Sequence, residues 1–204
     1  MSSSIRAFAF VLAMAAFAYR AGATDLRSGT LELDPSKTVV EFRCQSSLHT
    51  THGTFKLERG TIIADPATGK AGGSIVVDAR SGDTGLGARD NEMRESILEA
   101  QKYPEITFDP QHFILELKRG GQFQATMQGV LTLHGGRHDV ALKAQGQLLG
   151  DNLTATAQFS VPYVAWGLKD PSFLFLTAAK QVDIDIATTG HVVWKKQAAR
   201  SLHK

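Results

Sequence analysis

The chain has one cysteine, almost no net charge and no apolar run long enough for a membrane-spanning helix. Cys44 is the only cysteine in 204 residues, so an internal disulfide is excluded and a hydrophobic core must stabilise the fold. Cys44 alternates with apolar neighbours, which predicts a buried, inert thiol, because a reactive thiol needs exposure and a lowered pKa.

The longest apolar run lies near the N-terminus and predicts a signal peptide. Arg6 precedes an uncharged segment at 7–19, and Ala21-Gly22-Ala23 has the small-x-small pattern of a cleavage site. The run is about thirteen residues, whereas a spanning helix needs about 20, although an uncleaved anchor remains the alternative. We expect export to the periplasm, removal of residues 1–23, one domain over 24–194 and a basic tail over 195–204. The tail allows transient contact with anionic membranes, or is disordered.

Charge excludes one class of partner. Without Arg6 and Arg20, the 22 basic residues fall to 20 and equal the 20 acidic residues. A neutral chain has no electrostatic reason to bind nucleic acid. The oligomeric state, monomer or homodimer, does not follow from the sequence.

From Thr38 onward, apolar residues recur at every second position, which is typical of strands with one buried face. Turn signals such as Asp65-Pro66 and Gly135-Gly136 separate the runs. The pattern predicts an all-β fold, a sandwich or a closed antiparallel β-barrel of about eight strands, and we favour the barrel. One segment, Arg89–Lys102, has helical spacing, which predicts a single short amphipathic helix with Asp90 at its N-cap or first turn and Tyr103-Pro104 at its end.

A barrel of about eight strands can hold one small ligand. Small inward residues predict a cavity, while a solid interior filled by phenylalanines is the alternative. The predicted lining residues are Phe42, Phe55, Ile75, Val77, Met93, Ile97, Phe108, Phe113, Leu115, Phe123, Ala125, Met127, Leu142, Ala144, Ala157, Phe159 and Trp166. Such a lining suits a hydrocarbon chain, since burial contributes about 0.8 kcal/mol per methylene.

Four histidines are the only residues in the sequence whose spacing suggests a metal site. His49 and His52 form one pair and His134 and His138 another, but three-residue spacing on a strand puts side chains on opposite faces. Hydrogen-bonded histidines at strand ends are the simpler interpretation, with a metal site as the alternative. The sequence has no His-Glu-x-x-His, Gly-x-Ser-x-Gly or phosphate-binding glycine motif, and Asp83-Thr84-Gly85 occurs once, as expected of a turn. We therefore predict no catalytic residues and no cofactor.

The central segment resembles the YceI-like family. The residues that carry the likeness are Thr84-Gly85, Arg89-Asp90, Met93, Leu98, Lys102-Tyr103-Pro104 and Ile106-Thr107-Phe108, with weaker similarity around Asp34–Phe55, Gly129–Gly135 and Pro162–Ser172. The resemblance implies a lipocalin-like barrel that is exported to the periplasm and binds polyisoprenoid or isoprenoid-quinone-type lipids. It implies no catalytic residue, so Arg89 and Asp90 are interpreted as structural or mouth-lining.

These observations predict an exported carrier of a long apolar isoprenoid-type lipid and not an enzyme. Two alternatives stay open. One is a histidine-dependent metal-binding protein. The other is a secreted stress or interaction module with a solid core.

Overall fold

The computed structural model describes residues 27–172 and 177–195. The predicted signal peptide, and the predicted tail beyond Lys195, lie outside these residues. Nine strands are present: β1 Gly29–Leu33, β2 Val39–Gln45, β3 Thr50–Asp65, β4 Lys70–Asp83, β5 Glu105–Leu117, β6 Gln122–Leu133, β7 Gly136–Leu149, β8 Asn152–Val161 and β9 Val182–Trp194. Alternating apolar residues account for them, because each strand buries one face.

The strands close into an antiparallel barrel with eight positions. Strands β4 to β9 pair in sequence order, and β3 pairs with β4 to close the sheet. β1 and β2 share the eighth position, since each pairs with β3 on one side and β9 on the other. A 3-10 turn at Pro35–Lys37 separates β1 from β2. At the start of this turn, Asp34 Oδ1 accepts a hydrogen bond of 2.9 Å from Ser36 N. The predicted closed all-β barrel is thus confirmed.

Between β4 and β5 lies one short helix, which differs in extent from the predicted Arg89–Lys102. Helix α1 covers Gly87–Glu92 and continues as a single π turn, Met93–Ile97, in which Leu98 N donates to Met93 O over 2.9 Å. The helix ends early because Glu99 takes a left-handed φ of 44°. Tyr103-Pro104 therefore does not end it. Asp90 lies in the first turn, and Leu86 occupies the N-cap position.

The two ends of the barrel differ. We call one end of the barrel the helix end. It carries the 46–49 turn, α1 and the described parts of the segment after β8, which are residues 162–172 and 177–181. There the main cluster of buried residues is concentrated, including Ala79, Leu98, Tyr163 and Leu168. The turns β3–β4, β5–β6 and β7–β8 form the opposite end. Among the described residues, no helix is long and apolar enough to cross a membrane.

Candidate functional site: an apolar cavity at the helix end

The barrel encloses a cavity of about 430 Å³ at its helix end. Every strand from β2 to β9 contributes to its wall, together with α1, the π turn and the segment after β8. Phe42 and Phe55 form an aromatic pair on this wall, with ring centroids 5.4 Å apart. A void of this size lies within the usual range for small-ligand pockets, about 300–1,000 Å³. The interior at this end is therefore not solid.

The predicted lining residues divide into two groups. The structure places nine on the cavity wall: Phe42, Phe55, Ile75, Val77, Met93, Ile97, Phe108, Leu142 and Phe159. It does not place the other predicted residues there. Those eight are Phe113, Leu115, Phe123, Ala125, Met127, Ala144, Ala157 and Trp166.

The seven strand residues of the second group were assigned to an inward face by alternation, which gives a residue's face and not its depth along the barrel axis. Trp166 lies outside the strands, in the segment after β8. Met127, Ala144, Ala157 and Trp166 pack against the buried cluster. Phe113, Leu115 and Phe123 are only half-buried and lie on the parts of β5 and β6 toward the opposite end. Ala125 and Ala144 border a second pocket of about 350 Å³, whose other wall residues are polar except for Ile114.

Some of the small residues on the inward faces of the strands leave no space for a ligand. A Cβ placed on Gly146 would lie 2.1 Å from Thr154 O, and one on Gly129 would lie 2.4 Å from Asp109 O. These glycines allow neighbouring strands to approach closely. The expectation that such residues leave space for a ligand is therefore wrong at these positions.

Several wall residues were missed by sequence reasoning. Val182, Ile184 and Ile186 alternate in β9 with the same signal as the predicted set, and all three line the cavity. Leu131 and Leu133 do so from β6. Leu168, Pro171 and Ala178 come from the irregular segment after β8, where no periodicity exists to reveal them.

Polar wall residues are confined to the helix end itself. Cys44, Ser46, His49 and Thr51 come from the β2–β3 hairpin tip. Thr84, Arg89 and Glu92 come from the β4–α1 connection, and Tyr163 and Thr177 from the segment after β8. All other wall residues are apolar. The cavity thus has an apolar body and one polar end.

A hydrogen-bond cluster centred on Thr84 organises this polar end. Asp90, which is 6% exposed, accepts bonds of 2.8 Å from Thr84 N and 2.5 Å from Thr84 Oγ1. Arg89 donates from Nε to Thr84 Oγ1 over 2.8 Å and from Nη2 to Thr84 O over 3.0 Å. The bonds from Thr84 hold the pKa of Asp90 below its usual range. Arg89 and Asp90 therefore attach α1 to the end of β4 through Thr84. Asp90 does so from the first turn of the helix, which is one of the two predicted positions, and not from the N-cap.

Contacts between the three segments hold the polar end together. Ser46 forms an isolated bridge with Ala178, and Ser47 N donates to Thr177 O over 2.9 Å. Lys169 Nζ lies 2.8 Å from Glu92 Oε1, and this hydrogen bond lowers the pKa of Glu92. The helix, the hairpin tip and the segment after β8 form one continuous rim.

Cys44 and Tyr163 contribute weakly polar groups beneath this rim. Tyr163 OH donates to Ala179 O over 2.8 Å, and burial raises the pKa of Tyr163. Burial likewise raises the pKa of the half-buried Cys44 thiol. A raised pKa reduces the thiolate fraction, as an inert thiol requires.

The four histidines are not brought together as one metal site. His49 lies on the cavity wall, and His52 is paired with Arg43 in the β2–β3 ladder. His134 Nε2 lies 3.0 Å from Glu99 Oε2, whereas His138 stacks on Trp166. Over residues 27–172 and 177–195, no group of three or more His, Cys, Asp or Glu side chains is arranged to hold a metal ion.

Fold and cavity together define an antiparallel barrel protein with an internal apolar cavity. The YceI-like domain family matches residues 31–190. The chain belongs to the YceI-like domain family. A comparison with curated proteins gives no match.

Two solved structures share the fold. The Burkholderia cenocepacia protein BcnA superposes with a TM-score of 0.62 at 18% identity, covering 77% of this chain and 98% of BcnA. A polyisoprenoid binding domain from Saccharophagus degradans, implicated in plant cell wall breakdown, gives 0.59 at 16% identity, covering 80% of this chain and 98% of that domain. At these identities the likeness demonstrates a common fold.

Proposed function

We propose that the protein is an exported carrier that holds one long apolar isoprenoid-type lipid in the barrel cavity. The observation that carries the proposal is the void of about 430 Å³ with an apolar body. The similarity of fold to a domain described as polyisoprenoid binding supports the same chemical class.

Energetics favour a chain-shaped hydrocarbon in this cavity. Burial contributes about 0.8 kcal/mol per methylene, so a five-carbon unit contributes up to about 4 kcal/mol. Two or three such units offset much of the entropy cost of association, about 4–15 kcal/mol, without any ion pair. Aromatic side chains such as Phe42, Phe55 and Phe108 supply broad apolar contact along the chain.

We propose binding without catalysis. Three ionisable groups at the polar end of the cavity have partners that give them structural roles. Asp90 and Arg89 bind Thr84, and Glu92 binds Lys169 and Ser96. This arrangement anchors α1 over the barrel and supports a binding role.

Export is part of the proposal and rests on the sequence at 1–23. Expression of the full chain in a Gram-negative host followed by mass analysis of the periplasmic fraction tests it. We expect a chain that starts near Thr24. A full-length chain retained in the cytoplasm would contradict export while leaving lipid binding unaffected.

A cavity-filling substitution tests the binding site. In Ile184→Trp an indole replaces a wall side chain of β9, whereas Ala187→Trp adds an indole on the outer face of the same strand. A C15 prenyl alcohol titrated against each folded variant is expected to bind wild type and Ala187→Trp alike, and Ile184→Trp at least about tenfold more weakly, because the void that holds the chain is filled.

Circular dichroism and urea unfolding establish that both variants are folded. Equal binding by Ile184→Trp and wild type would place the ligand outside this cavity. Absence of binding to wild type would contradict the proposed function.

A further inference from the structure

The cavity opens to solvent at the helix end. His49 and Glu92 belong to its wall, yet both side chains are exposed. They come from the 46–49 turn and from α1, so the opening lies beside these two segments. A long apolar chain has almost no solubility in water and has to reach this opening from an apolar phase. The surface around the opening therefore determines how the cavity is filled.

Two exposed leucines border this opening. Leu48 is 75% exposed and directly precedes the wall residue His49. Leu86 is 55% exposed and follows the wall residue Thr84 by two positions. Neither leucine lines the cavity itself. The surface beside the opening thus carries two apolar side chains that do not contribute to the cavity wall.

Their place in connecting segments sets these leucines apart from other exposed apolar side chains. Among the residues that the structure describes, six other large apolar side chains are exposed, and all of them belong to strands: Val39, Ile63, Ile114, Leu117, Leu149 and Val193. Single exposed apolar residues are ordinary on a protein surface. Leu48 and Leu86 are the two that lie between strands, and both lie at the end where the cavity opens.

Folding alone gives no reason for leucine at either position. Leu48 lies in the turn closed by a 3.0 Å hydrogen bond from Ser46 N to His49 O, where glycine, asparagine, aspartate and serine are the usual residues. Leu86 occupies the N-cap position of α1 and forms no side-chain cap, whereas serine or asparagine would accept a hydrogen bond from the helix. A polar residue would suit both positions better, so the leucines indicate a partner with an apolar surface.

The two segments meet the requirements for entering the surface of a bilayer. Ser46 Oγ donates to His49 O over 2.6 Å and accepts from His49 N over 3.2 Å, so the turn satisfies much of its own backbone. Unsatisfied backbone groups are what makes insertion of a loop costly. No Asp, Glu, Lys or Arg occurs over 44–55 or over 84–88. Insertion of either segment therefore requires no formal charge to leave water.

Two lysines at the helix end are neutralised by carboxylates. Lys169 pairs with Glu92 over 2.8 Å, and Lys180 pairs with Asp170. These pairs reduce the attraction of this end for anionic lipids. Contact with a membrane here would depend on apolar insertion, and salt would affect it little.

We infer that the helix end docks on a lipid bilayer, with Leu48 and Leu86 inserted and the opening of the cavity against the membrane. The inference rests on the proposed function, since docking gives an apolar chain a route from bilayer to cavity that avoids water. Two leucines provide only weak, reversible attachment, as a carrier that leaves the membrane requires. A second copy of the chain fits less well, because a stable interface buries about 1,200–2,000 Å² and two separate side chains supply little of it.

Flotation with neutral phosphatidylcholine vesicles tests docking on the delipidated protein. Wild type is expected to float, and Leu48→Ser and Leu86→Ser are each expected to partition about fivefold less, because burial of one leucine is lost. Leu149→Ser is the matched control, since Leu149 is 59% exposed and ends β7 at the opposite end of the barrel. It is expected to partition as wild type does. Raising the salt to about 1 M is expected to change none of these results.

Two further measurements distinguish docking from a structural role. Serine is a better N-cap than leucine, so Leu86→Ser is expected to be at least as stable as wild type in urea while binding vesicles more weakly. Tryptophan favours the membrane interface, so the emission of Leu48→Trp is expected to shift to shorter wavelength when vesicles are added. The second measurement decides the matter even if Leu86→Ser loses stability.

Lipid transfer connects docking to the cavity. The double variant Leu48→Ser, Leu86→Ser is expected to extract the C15 prenyl alcohol from vesicles at least about fivefold more slowly than wild type, in step with its weaker partition. Its affinity for the same alcohol supplied in solution is expected to be unchanged, because neither leucine lines the cavity.

The outcomes separate this inference from the proposed function. If wild type does not float, or if Leu149→Ser loses as much partition as the two rim variants, docking through these leucines is wrong, whether or not the alcohol binds. Flotation that needs anionic phosphatidylglycerol and disappears at high salt would assign attachment to the basic tail and would also overturn the inference. If wild type floats but binds no prenyl alcohol, the proposed function fails.

Discussion

The imidazole of His138 stacks on the indole of Trp166, with ring centroids 4.0 Å apart and planes 3° from parallel. His138 lies in the first half of β7, and Trp166 lies in the segment after β8. The β7–β8 ladder pairs residues 143–149 with 152–158, so the stack joins the two elements beyond the paired region. It fixes the segment that brings Tyr163 and Leu168 to the cavity.

Trp166→Ala should destabilise the protein by about 1–3 kcal/mol, because it removes half-buried packing and the aromatic contact. Trp166→Phe should keep much of the stacking and lose less. Urea unfolding of the three proteins measures the difference. Unchanged stability in Trp166→Ala would show that the stack does not hold this segment.

His138→Phe should be no less stable than wild type. His138 Nε2 is buried and has no hydrogen-bond partner among the described residues. A phenyl ring keeps the stack and removes the polar atom, and replacing an unsatisfied group with an apolar one is neutral or favourable. The same urea series measures it, and a loss as large as that of Trp166→Ala would indicate that Nε2 has a partner, such as bound water.

Cys44 reports directly on occupancy of the cavity. As the only cysteine, on the cavity wall and with a pKa raised by burial, it should react with iodoacetamide more slowly than free cysteine at pH 8. Saturation with a prenyl alcohol should slow the reaction further, because the chain covers the thiol. Mass spectrometry of alkylated protein over time gives both rates. Identical rates with and without the alcohol would place the ligand elsewhere.

Two neighbouring glycines in β4 should differ sharply in their tolerance of alanine. Gly73 has a φ of 95°, and a Cβ there would lie 2.2 Å from Thr61 O, whereas a Cβ on Gly72 meets nothing within 4 Å. Gly73→Ala should lose about 2 kcal/mol or more through strain and collision, while Gly72→Ala should change stability by less than about 1 kcal/mol. Thermal or urea unfolding distinguishes them. Equal losses would contradict the bulged register between Lys70 and Ile75.

Acid should weaken the helix end through two carboxylates. Bonds from Lys180 and Ser172 lower the pKa of Asp170 to about 2, and bonds from Thr84 lower the pKa of Asp90. A carboxyl with a lowered folded-state pKa stabilises the fold above its unfolded pKa, about 3.9, and the contribution disappears as pH falls through the folded value. Stability should therefore fall between about pH 4 and pH 2. Asp170→Asn should show a shallower fall over this range, and a slope equal to wild type would exclude Asp170 as a cause.

The alternation of apolar and polar residues along the chain predicted the barrel, because a strand with one buried face has an apolar residue at every second position. It placed Phe42, Phe55 and Phe159 on the inward face, and the structure puts them on the cavity wall. Alternation does not give a residue's position along the barrel axis. Phe123 and Ala125 were therefore assigned to the cavity, although the cavity lies at the other end of their strand. Axial position depends on strand register, which bulges such as the one between Pro110 and His112 alter.

The helix end was the least predictable region. The helix formers in Arg89–Lys102 suggested one continuous helix, but a π turn and the left-handed Glu99 shorten it. Leu98 belongs to the buried cluster and Met93 packs against it, and tertiary contacts of this kind override local helix propensity. The segment after β8 carries wall residues such as Leu168 without any period, so only tertiary structure reveals them.

Native mass spectrometry of the protein purified from its periplasmic fraction tests the central claim most directly, with Ile184→Trp purified in parallel. The predicted result is a one-to-one adduct on wild type that organic solvent releases as an apolar prenyl-type molecule, and a much smaller adduct on Ile184→Trp. A bare wild-type chain that takes up no prenyl lipid from a total membrane extract would contradict the account.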